Sequence, residues 1–323
     1  MAALAKSRVN RIGAAIDVGS NSNHLLVARV DPPATLARRG LRVILDQSEL
    51  FGLGDVVDAH GEVPAESRAR VVASLAAFQL LATAAGAQRL TLIGTEPLRR
   101  AANADTLAEE VRVALGHELH IVTVEQEALL TFLGVTGGRP PAEPLIVVDI
   151  GGGSTEVSVY TPGEGIHVAA LAIGSARLTN TVVAHDPPTD DELHRLHEAA
   201  EKFRRELPDQ PPASKLHPAR AVFVGGTATN VARLGRLSRA ALAEDRRTLA
   251  RMTAAQVTEH FGVKPRRARQ LAAGAAIVDV LLEHYGLEHA DVSQASLRDG
   301  AVIAEFRHGE TWPDHLAALV TIA

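Results

Sequence analysis

Gly13-Ala-Ala-Ile-Asp17-Val-Gly19-Ser-Asn-Ser22 is echoed further along the chain by Leu145-Ile-Val-Val-Asp149-Ile-Gly151-Gly-Gly-Ser154. Asp17 and Asp149, Gly19 and Gly151, and Ser22 and Ser154 are separated by the same interval. Each copy is an apolar run, an Asp, a glycine-bearing turn and a second β-rich run, His24 to Val30 and Glu156 to Tyr160. Alternation and β-branching make both copies strand-turn-strand hairpins. A duplicated hairpin implies two similarly built domains. Thr136-Gly-Gly-Arg-Pro-Pro-Ala-Glu-Pro144 between them has breaker composition suited to a linker. The boundary is therefore placed to give domains 1–135 and 136–323.

Working outward, strands are expected at Arg42 to Phe51, Arg89 to Thr95, Leu119 to Val124 and Ala219 to Val224. Helices are expected at Glu66 to Ala85, from Pro97, from the capping box Thr189-Asp-Asp-Glu192 to about Leu207, at Arg266 to Tyr285 and at Ser296 to Arg307. Strands alternating with helices, opened in each half by a hairpin, predict a mixed α/β fold.

At 323 residues the chain exceeds one ordinary core, in keeping with two domains. It has no cysteine, which excludes disulfides, thiolate metal sites and thiol nucleophiles and suits a reducing cytoplasm. The net charge of -5 argues against general nucleic-acid binding. Met1 to Gly13 carries Lys6, Arg8 and Arg11 but no apolar signal core, and no apolar run is long enough to span a bilayer. A cytoplasmic protein without a membrane anchor is expected.

A strand that ends in Asp-x-Gly and reverses exposes successive backbone N–H groups, and glycine lets an anion approach them closely. Such turns bind phosphate through donors and partial positive charge. The first turn offers Gly19, Ser20, Asn21 and Ser22, and the second offers Gly151, Gly152, Gly153, Ser154 and Thr155. Asp17 and Asp149 precede the turns and would repel bare phosphate, so they make sense beside a hydrated Mg²⁺ or an activated water.

Together with a third glycine turn, Val222-Phe-Val-Gly-Gly-Thr-Ala-Thr-Asn230, the hairpins resemble the two phosphate motifs and the adenosine motif of the sugar kinase, Hsp70 and actin superfamily. The wording of Ile16-Asp-Val-Gly-Ser-Asn-Ser22, Asp149-Ile-Gly-Gly-Gly-Ser-Thr-Glu156, Gly225-Gly-Thr-Ala-Thr-Asn230, Leu98-Arg-Arg-Ala-Ala-Asn103, Gly174-Ser-Ala-Arg-Leu-Thr179 and Ser296-Leu-Arg-Asp-Gly300 is narrower. It resembles the exopolyphosphatase and guanosine pentaphosphate phosphohydrolase family, in its short two-domain form. The resemblance implies two actin-like (ribonuclease H-like) domains with a cleft between them. It also implies Gly225, Gly226 and Thr227 as further phosphate contacts and Arg99 as the phosphate-binding cation.

By the same resemblance Glu127 is the catalytic carboxylate that activates water, with Glu125 as its rival. Asp17, Asp149 and Glu156 are then the ligands of Mg²⁺ or Mn²⁺. The expected activity is release of terminal orthophosphate from inorganic polyphosphate. The alternatives are 5′-phosphate hydrolysis of guanosine pentaphosphate and, in another class, a non-hydrolytic actin-like sensor or a kinase. A homodimer is entertained as the assembly. Lys264-Pro-Arg-Arg-Ala-Arg269 is read as solvated helix charge, with guidance of a polyphosphate chain toward the cleft as its alternative; Arg38-Arg39 is read as solvated charge and His185-Asp186 as a loop.

Overall fold

The computed structural model describes residues 11–30, 40–209 and 220–321; Lys6, Arg8, Arg38-Arg39 and Ala219 lie outside them. The first half runs β1 Ile12–Val18, β2 Ser22–Val30, β3 Leu41–Leu50, α1 Leu53–His60, α2 Ala65–Ala84, β4 Arg89–Gly94, α3 Glu96–Arg100, α4 Ala104–Leu115, β5 Leu119–Ile121 and α5 Val124–Thr136. The second half opens with β6 Leu145–Ile150, β7 Thr155–Thr161, β8 Gly165–Leu171, α6 Ser175–Val182, α7 Asp190–Glu201, β9 Arg220–Val224 and α8 Gly225–Val231. It continues with α9 Arg239–Leu249, α10 Ala254–Phe261, α11 Pro265–Ala268, α12 Leu271–His284, β10 Asp291–Val292, α13 Leu297–His308 and α14 Trp312–Thr321.

The two sheets have one topology. The first is ordered β3-β2-β1-β4-β5, and the second, β10-β9-β6-β7-β8, is the same order read from its other edge. In both, the hairpin strands pair antiparallel and the following strands parallel. The duplicated motif is thus a duplicated sheet, and the fold is the α/β pair of actin-like domains. Cross-strand register preserves the echo: Asp17 faces His24 across the first hairpin and Asp149 faces Glu156 across the second.

Strand parity decides which side chains meet between the sheets, because successive residues point to opposite faces. Ile146, Val148 and Ile150 pack into the outer core of the second half, whereas Leu145 and Val147 join a middle core. Asp149 therefore falls on the middle face. In β1, Ala14, Ile16 and Val18 face outward and Ala15 inward, so Asp17 falls on the middle face too.

That middle layer is built by exchange. α5, from the first half, lies on β6, β7 and β8, whereas α13, from the second half, lies on β1, β2 and β4. The last helix, α14, packs on α5, α13 and β8. α5 and α13 cross so closely that a Cβ on Gly134 or Gly300 would collide with the backbone of Ser296 or Leu130. The glycine- and proline-rich stretch expected as a linker joins α5 to β6.

Three expectations need correction. The long helix expected over Arg266 to Tyr285 is broken, with α11 ending at Ala268 and α12 beginning at Leu271. The break lets Gln270 donate to Asn21 Oδ1 at 3.4 Å while Arg267 turns toward Gly226. The helix from Thr189 keeps its capping box but changes to a 3₁₀ turn at Lys202–Glu206. Finally, β5 ends at Ile121, because Thr123 and Gln126 form a capping box that starts α5 early.

Candidate active site

Both hairpins reverse in the same way. The amide of Gly19 donates to Ser22 O at 3.2 Å, and that of Gly151 to Ser154 O at 3.0 Å. Among the described residues, no backbone hydrogen bond outside the helices and strands uses the amides of Ser20, Asn21, Gly152 or Gly153. The turn carbonyls are held from behind. Phe51, Gly52 and Gly54 donate to Ser20 or Asn21, and Ser175, Ala176 and Arg177 donate to Gly151 or Gly152. Carbonyls bound behind and amides left in front make each turn an anion cradle.

The cradles face each other across one crevice. A Cβ on Gly152 would strike Asn21 Nδ2, and one on Gly153 would lie 2.8 Å from Ser20 Oγ. A side chain at either glycine would have to displace the side chains of Asn21, Ser20 or Glu96, which approach the second turn closely. Between the turns is a cavity of about 90 Å³. Its lining includes Asp17, Gly19, Ser20, Asn21 and Ser22 from the first half. Glu127, Asp149, Gly151, Gly152, Gly153, Ser154, Glu156 and Gly226 also line it.

The remaining expected residues stand behind this lining. Thr155 Oγ1 is spent on Ile173 O at 2.7 Å. Thr227 shares a hydroxyl contact of 2.8 Å with Ser175 and reaches Gly151 O at 3.3 Å, so it braces the second turn. Gly225 has φ of 85°, and a Cβ there would strike Asp149 Oδ1. Arg99 donates to Glu127 Oε2 at 2.5 Å and to Val122 O at 3.1 Å, and its Nη2 stands 3.8 Å from Glu156 Oε1. Its guanidinium is thereby tied to carboxylates.

The capping box of α5 resolves the pair of glutamates geometrically. With Thr123 as N-cap, Glu127 is 6% exposed and lines the cavity. Glu125, half a turn away, is exposed.

Burial raises the proton affinity of the four carboxylates, and like charge nearby adds to it for Asp17, Glu127 and Glu156. Burial, opposed by Arg298, raises Asp17 to about 7. Burial also raises Glu127 to about 7 against the pull of Arg99, and Asp149 to about 6 against Thr131 and Arg298. Glu156 is pushed well above its usual range by burial and by Glu127 and Asp149. His24, the counterpart of Glu156, is lowered to about 3 by burial and by Arg298, Arg267 and Lys264. Its ring stays neutral, with Nε2 2.6 Å from Ser22 Oγ.

Can these groups hold Mg²⁺? Asp17 Oδ1 and Glu156 Oε1 are buried with no hydrogen-bond partner, and all the donors are hard oxygens. No three of the four carboxylates bring oxygens within 4.8 Å of one another, so they form no closed protein cage. The set fits a largely hydrated Mg²⁺, which takes one or two carboxylates and leaves its other positions to water and phosphate. His197, Glu201 and Glu283 do come within 4.8 Å, but Arg204 and Arg239 stand 3.4 and 3.6 Å from Glu283.

Two groups were missed by reading the sequence. Glu96 lines the cavity, with its carboxylate bonded to Ser20, Arg100 and Arg177. Arg267 also lines it, and burial lowers its guanidinium to about 10. Among the described residues it has no ion pair. The signal for Arg267 was the basic run itself, which reads as solvated helix charge until the break before α12 turns it inward.

Among described residues, no helix is long and apolar enough to cross a membrane. The sequence matches the Ppx/GppA phosphatase family over residues 27–308. It is 32% identical to exopolyphosphatase 2 of Mycobacterium tuberculosis, an alignment covering 90% of this chain and 97% of that protein. It is 28% identical to exopolyphosphatase 1 of Mycobacterium leprae, covering 89% and 87%. The crystal structure of the Aquifex aeolicus Ppx/GppA family member superposes with a TM-score of 0.77 at 28% identity, covering 93% of this chain and 98% of that one. The family match, the paired actin-like domains and the twin cradles agree, and the chain belongs to the Ppx/GppA phosphatase family of phosphoanhydride hydrolases.

Proposed function

We propose that the protein is an exopolyphosphatase, hydrolysing the terminal phosphoanhydride of inorganic polyphosphate, with Glu127 directing the attacking water and Mg²⁺ as cofactor. The observation that carries this reading is the placement of Glu127, buried at the cavity between two anion cradles. The curated relatives bearing the exopolyphosphatase name support the substrate class. A cysteine-free chain suits work in the cytoplasm.

In this scheme the amides of Ser20, Asn21, Gly152 and Gly153 and the hydroxyls of Ser22 and Ser154 hold the terminal phosphoryl oxygens. Glu127, with a carboxyl near 7, accepts a proton from water as the water oxygen bonds to phosphorus. The bond from phosphorus to the bridging oxygen breaks, and the shortened chain departs with the electron pair. Arg99 positions Glu127 through the 2.5 Å contact. Held by Asp17, Asp149 and Glu156, directly or through water, Mg²⁺ would supply positive charge to the phosphate oxygens.

Guanosine pentaphosphate presents the same anhydride with a purine beyond it. Leu297 is the one apolar side chain lining the cavity among the described residues, which supports the polymer over a nucleotide. A kinase would need an acceptor hydroxyl in place of water. The test is phosphate release from polyphosphate, guanosine pentaphosphate and ATP, with and without Mg²⁺. Glu127→Gln is expected to lose at least ~100-fold in rate, and Glu125→Ala to stay within about threefold. A near-normal Glu127→Gln enzyme would overturn the assignment of the base.

A further inference from the structure

Glu96 is a fifth carboxylate at the cavity, and the proposed hydrolysis gives it no part. Its side chain is 9% exposed and lines the cavity. Oε2 accepts from Ser20 Oγ at 2.8 Å, and Oε1 accepts from Arg100 Nε and from Arg177 Nη2. Ser20 and Arg100 come from the first half and Arg177 from the second, so this carboxylate joins the two halves. A Cβ on Gly153 would collide with Glu96 Oε2, which puts the carboxylate against the second cradle.

A hydroxyl and two guanidinium groups converging on two oxygens form a donor set suited to phosphate as well as to carboxylate. The row also leads outward. Glu96 lies at the cavity wall, whereas the side chains of Arg177 and Arg100 are 25% and 34% exposed. Arg100 is further tethered to Asp58 Oδ1 at 2.7 Å, which fixes its position. A polymer whose end sits in the cradles must pass its next phosphate out of a cavity of about 90 Å³, whose wall includes Ser20 and Glu96, with Arg100 and Arg177 bonded to Glu96 behind it. Two anions sharing these donors would repel each other at close range.

We propose that Ser20, Arg100 and Arg177 form a second anion subsite, for the phosphate adjoining the terminal one. Glu96 occupies that subsite as a stand-in until a phosphoanhydride chain displaces it. The inference rests on the exopolyphosphatase reading, in which a phosphate always adjoins the one being released. Orthophosphate fills the cradles alone and leaves Glu96 in place.

The test is isothermal titration of tripolyphosphate and orthophosphate, with Mg²⁺, into protein carrying Glu127→Gln to suppress turnover. Adding Glu96→Gln removes the competing charge and keeps the side-chain shape, so tripolyphosphate should bind ~10-fold tighter with orthophosphate within about twofold. Adding Arg177→Ala should weaken tripolyphosphate ~10-fold and again spare orthophosphate. Thermal melts of each variant report whether the fold is intact.

Glu96→Gln protein that melts normally yet binds tripolyphosphate no tighter makes Glu96 a structural strut and overturns the subsite. Equal tightening for both anions reduces the effect to general charge and overturns it too. If Glu96→Gln fails to fold, Arg177→Ala decides alone, and equal binding of tripolyphosphate overturns the proposal. Protein with Glu127→Gln alone that binds orthophosphate but not tripolyphosphate sinks the subsite and spares the cradles. Failure to bind either anion overturns the exopolyphosphatase reading with it.

Discussion

Arg99 Nη1 lies 2.5 Å from Glu127 Oε2, so a guanidinium at the cleft is bonded to the carboxylate proposed to aim water. The contact opposes the burial that raises Glu127 to about 7. Deleting the cation should let the carboxyl rise further, by about one unit for a close partial ion pair. Arg99→Ala is therefore expected to move the acid limb of the pH–rate profile to higher pH, with most activity recovered in mildly alkaline buffer. Arg99→Lys should recover part of the shift. If Arg99 served substrate alone, KM would rise and the limb would stay where it is.

Burial of the carboxylates also sets how stability responds to pH. Unfolded carboxylates ionise near 4, whereas burial holds Asp17 at about 7 and Asp149 at about 6. Folded-state values above the unfolded ones mean that these groups favour the fold fully below about pH 4. That contribution is lost as pH rises through about 6 to 7. Metal-free protein should melt higher at pH 6 than at pH 8. Asp17→Asn should flatten this slope and raise the pH 8 melting temperature by at least ~2 °C. Mg²⁺ should stabilise more at pH 8 than at pH 6, because it competes with protons for the same oxygens. A slope unchanged by Asp17→Asn would remove Asp17 from the titrating set.

The exchanged helices give a prediction that concerns the frame rather than the chemistry. Gly300 meets the backbone of Leu130, and Gly134 that of Ser296, so neither position has a flexible side chain that could yield to a methyl group. Gly300→Ala should cost ~1–3 kcal/mol or more, as overpacking of a tight contact does. Urea unfolding would read it, with Gly309→Ala as a nearby control of the other kind: φ of 60° strains the backbone there, but no atom stands within 4 Å. A Gly300→Ala protein as stable as wild type would mean the helices can separate at little cost.

Much of this architecture was legible because it is written twice. Matching Asp, Gly and Ser positions in two apolar runs specified two sheets, and strand parity alone carried Asp17 and Asp149 to one layer. The distinction between Glu125 and Glu127 was also present, in Thr123 and Gln126. Their capping box sets the phase of α5 and puts Glu127 on the face of Leu130, Thr131 and Gly134. What local pattern could not show was contact between distant segments. Glu96 reads as a helix-start acid, and its role depends on Arg177 from the other half. Arg267 sits in a basic run that resembles a wet helix face, and only the break before Gln270 turns it toward the cavity.

Arg267 therefore carries the last prediction. It lines the cavity beside Gly226, and a Cβ on that glycine would stand 2.9 Å from Arg267 Nη2. Burial lowers its guanidinium to about 10, still far above neutrality, so a full positive charge sits in the cleft. No ion pair offsets it among the described residues. A partly buried charge without a partner carries a desolvation cost, which a bound anion would offset. Arg267→Met keeps the length and apolar stem, so the protein should be as stable as wild type or more so in thermal melts. Its affinity for orthophosphate and tripolyphosphate should fall ~10-fold or more, with a weaker dependence on salt. Loss of stability together with unchanged anion affinity would show that the guanidinium supports the fold and leaves the phosphates to the cradles.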